Sequence, residues 1–289
     1  MVEKKELQDR KKIVSAAMAA AFIFIVSSLV FMNSTYDQVK AEILASIRDV
    51  EKRNIALLRQ NLLINRDFVT SISMTLGRLT PELNSPEAIR FIREQNRFTG
   101  FGALYLINRD GNMYFGNPLN KGEQEYFKGI MSKNQIHSNI RISGSGKGGY
   151  LTINSVIIND SKAIGVLSAR FYQDRLNELV TFDIFGQGGY CYLLSKDGAI
   201  IARSDNPKVN MDAVALPDLF SSSSGGEDGS KYCATIAGAM QKGLSGEIIY
   251  PTKGGNKVVS YIPVGTADLY LLTSVPENVV FAEIGRAHV

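Results

Sequence analysis

The sequence predicts an α+β protein: an N-terminal transmembrane helix, a long stalk helix, and two tandem modules that each carry a central antiparallel sheet. Residues 13–32 form one uncharged apolar run, the stretch from Tyr36 to Leu79 keeps a helical period without a proline, and the remainder repeats one strand–turn–strand pattern twice.

The run from Ile13 to Met32 has serines as its only polar residues. At ~1.5 Å of rise per residue, about twenty residues cross a ~30 Å hydrocarbon core, and a buried helix of that length in a soluble core would carry a polar stripe. Lys4, Lys5, Arg10, Lys11 and Lys12 precede the run, whereas the first basic residue after it is Lys40. The positive-inside rule therefore makes residues 1–12 a cytoplasmic tip, residues 13–32 a single span of the inner (plasma) membrane, and places the bulk of the chain outside the cytoplasm. The run is longer than a signal-peptide core and no small-x-small cleavage site follows it cleanly, so it is expected to stay as an anchor.

Residues 33–80 are expected to form the stalk. Gly77 is the one glycine between Tyr36 and Leu79. Apolar residues recur at Val39, Ile43, Ile47 and Val50, then at Leu58, Leu62, Val69, Ile72, Leu76 and Leu79, mostly in steps of three and four. Such a helix runs ~60 Å, more stripe than one small core can cover. Part of it is expected to pack on a second copy as a coiled coil, making a homodimer. The alternative is two shorter helices broken near Asn61 to Asn65.

After Pro81 the text changes to short strands and turns, and it repeats. Leu104 to Tyr114 matches Cys191 to Ile201: an apolar strand, an Asp-Gly turn (Asp110-Gly111, Asp197-Gly198) and a second apolar strand. Asp-Gly suits a tight hairpin because glycine takes positive φ cheaply. Asn117-Pro118 and Asn206-Pro207 then stop the strands. Later strands recur too: Leu151 to Ile158 and Ala163 to Phe171 around Asn159-Asp160-Ser161, and Gly246 to Tyr250, Lys257 to Val264 and Leu269 to Val275. Helical or irregular inserts fall at Glu123 to Ser132 and Met211 to Lys242. The expectation is two antiparallel sheets of about five strands, with modules at 81–185 and 186–282; tight turns instead of crossover helices argue against a parallel sheet.

Composition excludes several classes. A formal charge of +4 on 289 residues, with much of the excess near the N-terminus, does not indicate nucleic-acid binding. Two histidines, His137 and His288, leave little for a metal or His-based catalytic site, and no G-x-S-x-G occurs. No cofactor is expected, and no enzyme activity in this chain. Gly144 to Gly149 lacks the phosphate-loop spacing and reads as a hairpin tip, and Ser221 to Gly226 as another flexible loop. Cys191 and Cys233 could bridge in an oxidising space, although a strand cysteine is often a small buried hydrophobe.

In order and spacing, the twin Asp-Gly hairpins, Gln124 to Met131, Ile164 to Phe171, Gly188-Gly189-Tyr190 and Thr273 to Pro276 resemble the double Cache (dCache) sensor domains of bacterial receptors, over about Asn33 to Phe281. The resemblance implies two PAS-like (Cache) modules. The membrane-distal one would hold a small ligand and the proximal one would pass the change to a second span. It also implies a missing cytoplasmic output domain. A diguanylate cyclase or histidine kinase is favoured; the alternatives are a chemotaxis receptor ectodomain and an adhesive or structural ectodomain.

The resemblance places the distal pocket between sheet and helical insert, which maps to Tyr126 and Phe127, to Arg141, Thr152 and Asn154, and to Arg170 and Tyr172. The amino-acid-binding variant of the family has Arg-x-Trp in the insert and an Asp on the last strand. Here Gln124-Glu125-Tyr126 and Arg170 stand there instead. A guanidinium in place of a carboxylate favours an anionic ligand such as an organic acid, because arginine grips carboxylates through two hydrogen bonds. Tyr126 and Phe127 could equally be core residues of an amphipathic helix; Tyr105, Tyr114 and Tyr150 read as sheet residues with polar tips near water. Glu283 to Val289 reads like a translated sequencing adapter, so 283–289 is set aside as a scar.

Overall fold

The computed structural model describes every residue except 1, 99–100, 115–118, 134–137, 144–149, 222–226, 253 and 288–289; of 2–17, 19–21, 36–37, 43, 98, 143, 221, 227–228 and 283–287 it describes the backbone alone. His137, His288 and the Gly144 to Gly149 tip thus lie outside the described residues or side chains, as does most of the Ser221 to Gly226 loop. The chain divides into two compact units, Met1–Arg48 and Asp49–Val289.

A single helix, α1 (Val2–Leu79), runs through Asn61 to Asn65 without a break. The Asn65 side chain donates to the Asn61 carbonyl at 2.7 Å, so this amide is satisfied within the helix. In the first unit Phe22, Phe24, Leu29, Phe31 and Met32 are exposed. Among the described residues no helix is long and apolar enough to cross a membrane, and much of the first half of Ile13 to Met32 lies outside the described side chains.

In the second unit α1 buries Ile55, Leu58, Leu62, Val69, Ile72 and Leu76, the steps of three, four and seven that put residues on one helical face. Leu79, expected on that stripe, is exposed. It is the last helical residue, and the chain turns at Pro81 to bury Leu83 instead. Helix α2 (Pro86–Phe98) follows, its Ser85 hydroxyl accepting from Ala88 N–H.

The first sheet contains β1 (Ala103–Asn108), β2 (Ser138–Ser143), β3 (Tyr150–Asn159) and β4 (Lys162–Phe171), in the antiparallel order β1-β4-β3-β2. It therefore has four strands among the described residues, not the expected five. The Asp110-Gly111 turn forms, with Gly111 at φ +81°, but beyond it only an isolated bridge joins Ile107 and Met113. Asn112 N–H turns back to the Asn108 side chain and Asn112 Oδ1 accepts from Gln124; residues 115–118 that follow lie outside the described residues. Helix α3 (Lys121–Met131) starts on a capping box in which Asn120 and Glu123 each bond the other's backbone N–H. Helix α4 (Gln173–Leu179) leads to the second module.

The second sheet has the five strands expected: β5 (Tyr190–Ser195), β6 (Ile200–Arg203), β7 (Gly246–Thr252), β8 (Gly255–Pro263) and β9 (Leu269–Pro276), in the order β6-β5-β9-β8-β7. Gly198 holds its turn at φ +87°. Helices α5 (Asp218–Ser221) and α6 (Glu227–Gln241) occupy the predicted insert, and α7 (Glu277–Ala287) follows the sheet. Without β6, the series β5-β9-β8-β7 repeats β1-β4-β3-β2 strand for strand. Cys191 and Cys233 are both free thiols; Cys191 is buried and its Sγ donates to the Val180 carbonyl at 3.0 Å, which is the small-hydrophobe reading.

Helix α1 is tied to each sheet. Ser73 and Ser155 hydroxyls meet at 2.7 Å and the Asn159 amide donates to the Gly77 carbonyl at 2.7 Å. Lower on the helix, the Arg59 guanidinium donates twice to the Val264 carbonyl, at 2.8 and 3.0 Å, and the Ser260 hydroxyl donates to buried Glu51.

Candidate functional site

Alternate residues of a strand share a face. In the first sheet the register aligns Arg141, Thr152, Arg170 and Ala103 across the strands in one row, and Asn139, Asn154, Ser168 and Tyr105 in the next. Helix α3 lies on this face. At one end Phe127, Ile130 and Met131 of α3 pack with Ile107, Val156 and Val166. At the polar end a small cavity of about 20 Å³ remains, partly open to solvent.

Six of the seven residues singled out in the sequence line it: Tyr126, Phe127, Arg141, Thr152, Asn154 and Arg170. Tyr172 does not. Strand β4 ends at Phe171, so the period-two alternation that would have kept Tyr172 beside Arg170 stops; its ring lies exposed over Gly102, and its hydroxyl reaches Tyr105 at 3.3 Å. Tyr105, Tyr150, Ser168 and Glu123 join the lining unforeseen. Their signal was the alternation itself, since Tyr105 and Ser168 are partners and Tyr150 lies two residues from Thr152.

The arginines are held by aromatic faces. The Arg170 guanidinium carbon sits 4.0 Å from the Tyr150 ring centre and 4.8 Å from that of Tyr105, and the Arg141 carbon 4.3 Å from Tyr126. Among the described residues, neither arginine pairs with a carboxylate. Glu123 lines the cavity but its carboxylate caps α3. Gln124 is bound to Asn112 and the Leu119 carbonyl. Burial, then the Tyr172 hydroxyl, pushes the Tyr105 phenol above its ordinary value, so it stays protonated and cannot neutralise Arg170. Two buried polar atoms in the cavity wall lack hydrogen-bond partners, Arg170 Nε and Asn154 Oδ1. Asn154 is otherwise fixed, its Nδ2 donating to Thr152 at 3.2 Å and Asn139 at 3.4 Å, while Asn139 donates to the Tyr126 hydroxyl. Such a cavity can accept an anion and present one acceptor to it. Among the described residues no group of three His, Cys, Asp or Glu could hold a metal ion.

Two sheets repeating one strand order beside a long helix, with a cationic cavity under the insert of the first, define a tandem two-module α+β domain. The Cache domain model dCache_1 matches residues 29–284, and the chain belongs to that family. A Cache domain of this kind is a non-catalytic, ligand-binding sensor module of signal-transduction proteins. Among solved structures, the extracellular domain of mmHK1S-Z3, described as a histidine kinase, is similar at 16% identity and a TM-score of 0.55, covering 84% of this chain and 98% of that one. The ligand-binding domain of the Pseudomonas aeruginosa amino acid chemoreceptor PctB, in complex with L-Gln, matches at 18% identity and a TM-score of 0.54, covering 82% and 92%. That of the Campylobacter jejuni chemoreceptor Tlp3, in complex with 4-methylisoleucine, matches at 14% and 0.55, covering 83% and 92%. No curated protein matches the chain in sequence.

Proposed function

We propose that the cavity between α3 and the first sheet captures a small organic acid, and that the chain is the sensing part of a membrane receptor. The observation that carries this is the row that places Arg141 and Arg170 on either side of β3 with Thr152, not an acid, between them, Arg170 Nε being buried and unpartnered. A carboxylate would supply that partner and replace ring contacts with charge-assisted hydrogen bonds. Calorimetry with succinate, malate and lactate on wild type and Arg170→Ala tests it. The expectation is an acid whose affinity falls about 10- to 100-fold in the variant, as for loss of one hydrogen bond to a charged group. Equal binding to both forms, or no binding to either, would reject the reading.

A second reading is favoured by Asn154 Oδ1, an unused acceptor that suits an ammonium group. An amino acid, the ligand class of PctB and Tlp3, would use both it and an arginine. L-Gln binding that is lost in Asn154→Leu would select this reading over the first.

The anchor and dimer belong to the same proposal. The exposed Phe24 and Phe31 (73% and 72%) support a lipid-facing segment within residues 13–32, with the basic tip in the cytoplasm and the two modules, 81–185 and 186–282, outside. On α1, Leu57, Ile64 and Phe68 are exposed in steps of seven and four, the spacing of a coiled-coil seam for a second copy. Closure on ligand would bias α1 through Ser73 and Gly77, and only a ligand with different affinities for the two arrangements would signal. The output would be a cyclase or kinase, with a chemotaxis domain as the alternative; solved structures of both kinase and chemoreceptor domains share the fold.

A further inference from the structure

The repeat of strand order allows the two sheets to be aligned residue by residue. The Asp-Gly hairpins equate Leu104 with Cys191, and hence Tyr105 with Tyr192. Leu104 pairs Ala169 and Cys191 pairs Thr273, so Arg170 corresponds to Ser274. Ser274 in turn pairs Val259 as Arg170 pairs Thr152, which equates Tyr150 with Lys257. Where the first module has its cationic cavity, the second has another, of about 90 Å³, lined by Tyr190, Tyr192, Lys208, Lys257, Phe220 and Ser274 among others.

Its chemistry differs. Among the described residues no carboxylate lines it, and its charges are two ammonium groups in place of two guanidiniums. Lys257 Nζ donates to the Tyr190 hydroxyl at 3.2 Å and Lys208 Nζ to the Gly188 carbonyl at 3.1 Å, so each keeps donors to spare. Leu219, Phe220, Val259 and Leu272 add apolar surface to the wall. Ser274 is 4% exposed, and its hydroxyl is buried in the cavity wall without a hydrogen-bond partner. A buried hydroxyl normally has a partner, so this one marks a place where a ligand atom belongs.

We propose that the second module binds a short-chain aliphatic monocarboxylate of its own, its carboxylate between Lys257, Lys208 and the Ser274 hydroxyl and its hydrocarbon body against Phe220 and Leu272. This site is independent of the first-module reading, and the two can fail separately.

The test is calorimetry of the full chain with acetate, propionate and butyrate, alongside 1-butanol as an uncharged probe. Butyrate is expected to bind wild type and Arg170→Ala alike, to bind Lys257→Met at least tenfold more weakly, and to bind Lys257→Arg within a few-fold of wild type. Ser274→Ala is expected to weaken it as well. Thermal unfolding of each variant without ligand verifies that it is folded. Binding of none of the three acids overturns the proposal. So does binding that Arg170→Ala abolishes and Lys257→Met leaves intact, because the acid then sits in the first module. Equal affinity for 1-butanol and butyrate overturns it too, since the lysines then recognise nothing.

Discussion

Arg170 was legible in the sequence because a cation stands where the resembled amino-acid pattern has an acid; the rings that hold it were not. Tyr105 and Tyr150 read as strand residues with wet tips, since one strand shows which residues share a face but not what crosses to meet them. That depends on the pairing of β1 with β4, segments far apart in the chain, which brings Tyr105 beside the β3–β4 hairpin. Cys191 shows the reverse case, a residue whose dull reading is the physical one. Sealed among apolar neighbours, its thiol is pushed up to about 12, chiefly by burial. Tyr192, also raised by burial, reaches about 12. The unfolded chain releases the thiol proton near pH ~8.5, while the folded chain keeps it. The folded state therefore binds more protons in that window, and stability falls as pH rises from about 9 toward 12. Thermal unfolding across that range should show a declining midpoint in wild type and a shallower decline in Cys191→Ala.

At the scale of elements, helix α1 and the two sheets were readable from their periods and repeated turns. The strand expected after Gly111 shows one bridge, Ile107 to Met113, among the described residues. Gly77 is the one glycine of the long helical stretch. It is where the helix backbone meets β3, and a Cβ there would lie 2.0 Å from the Ile158 carbonyl oxygen. Gly77→Ala should cost about 2 kcal/mol or more, read by urea denaturation, because backbone on both sides cannot yield cheaply. The β3–β4 turn presents the opposite opportunity. Asp160 and Ser161 have φ of 45° and 63°, a primed turn built without glycine. Ser161→Gly should raise stability by about 0.5 kcal/mol, the left-handed strain relieved exceeding the added freedom of the unfolded chain. A midpoint unchanged or lowered in the same denaturation series would contradict this.

For the whole molecule, the duplicated architecture was visible in the Asp-Gly text, whereas the second cavity was not, since Tyr192 repeats Tyr105 but Lys257 and Ser274 stand where the first module has Tyr150 and Arg170. The dimer seam makes a direct prediction. Ile64→Cys should crosslink between copies under mild oxidation, and Leu62→Cys, whose side chain is buried, should not. Equal yields at both positions would remove the seam. The ties between α1 and the sheets carry a further consequence, for the order of assembly. Ser73 waits 82 residues for Ser155, but Arg59 waits 205 for Val264 and Glu51 waits 209 for Ser260. Long-range closures of that kind come late and slowly. As the chain emerges from its N-terminus, the upper helix can dock on the first sheet while the lower helix still lacks its partner, leaving Leu58 and Leu62 open to proteases and to wrong neighbours until the last strands arrive.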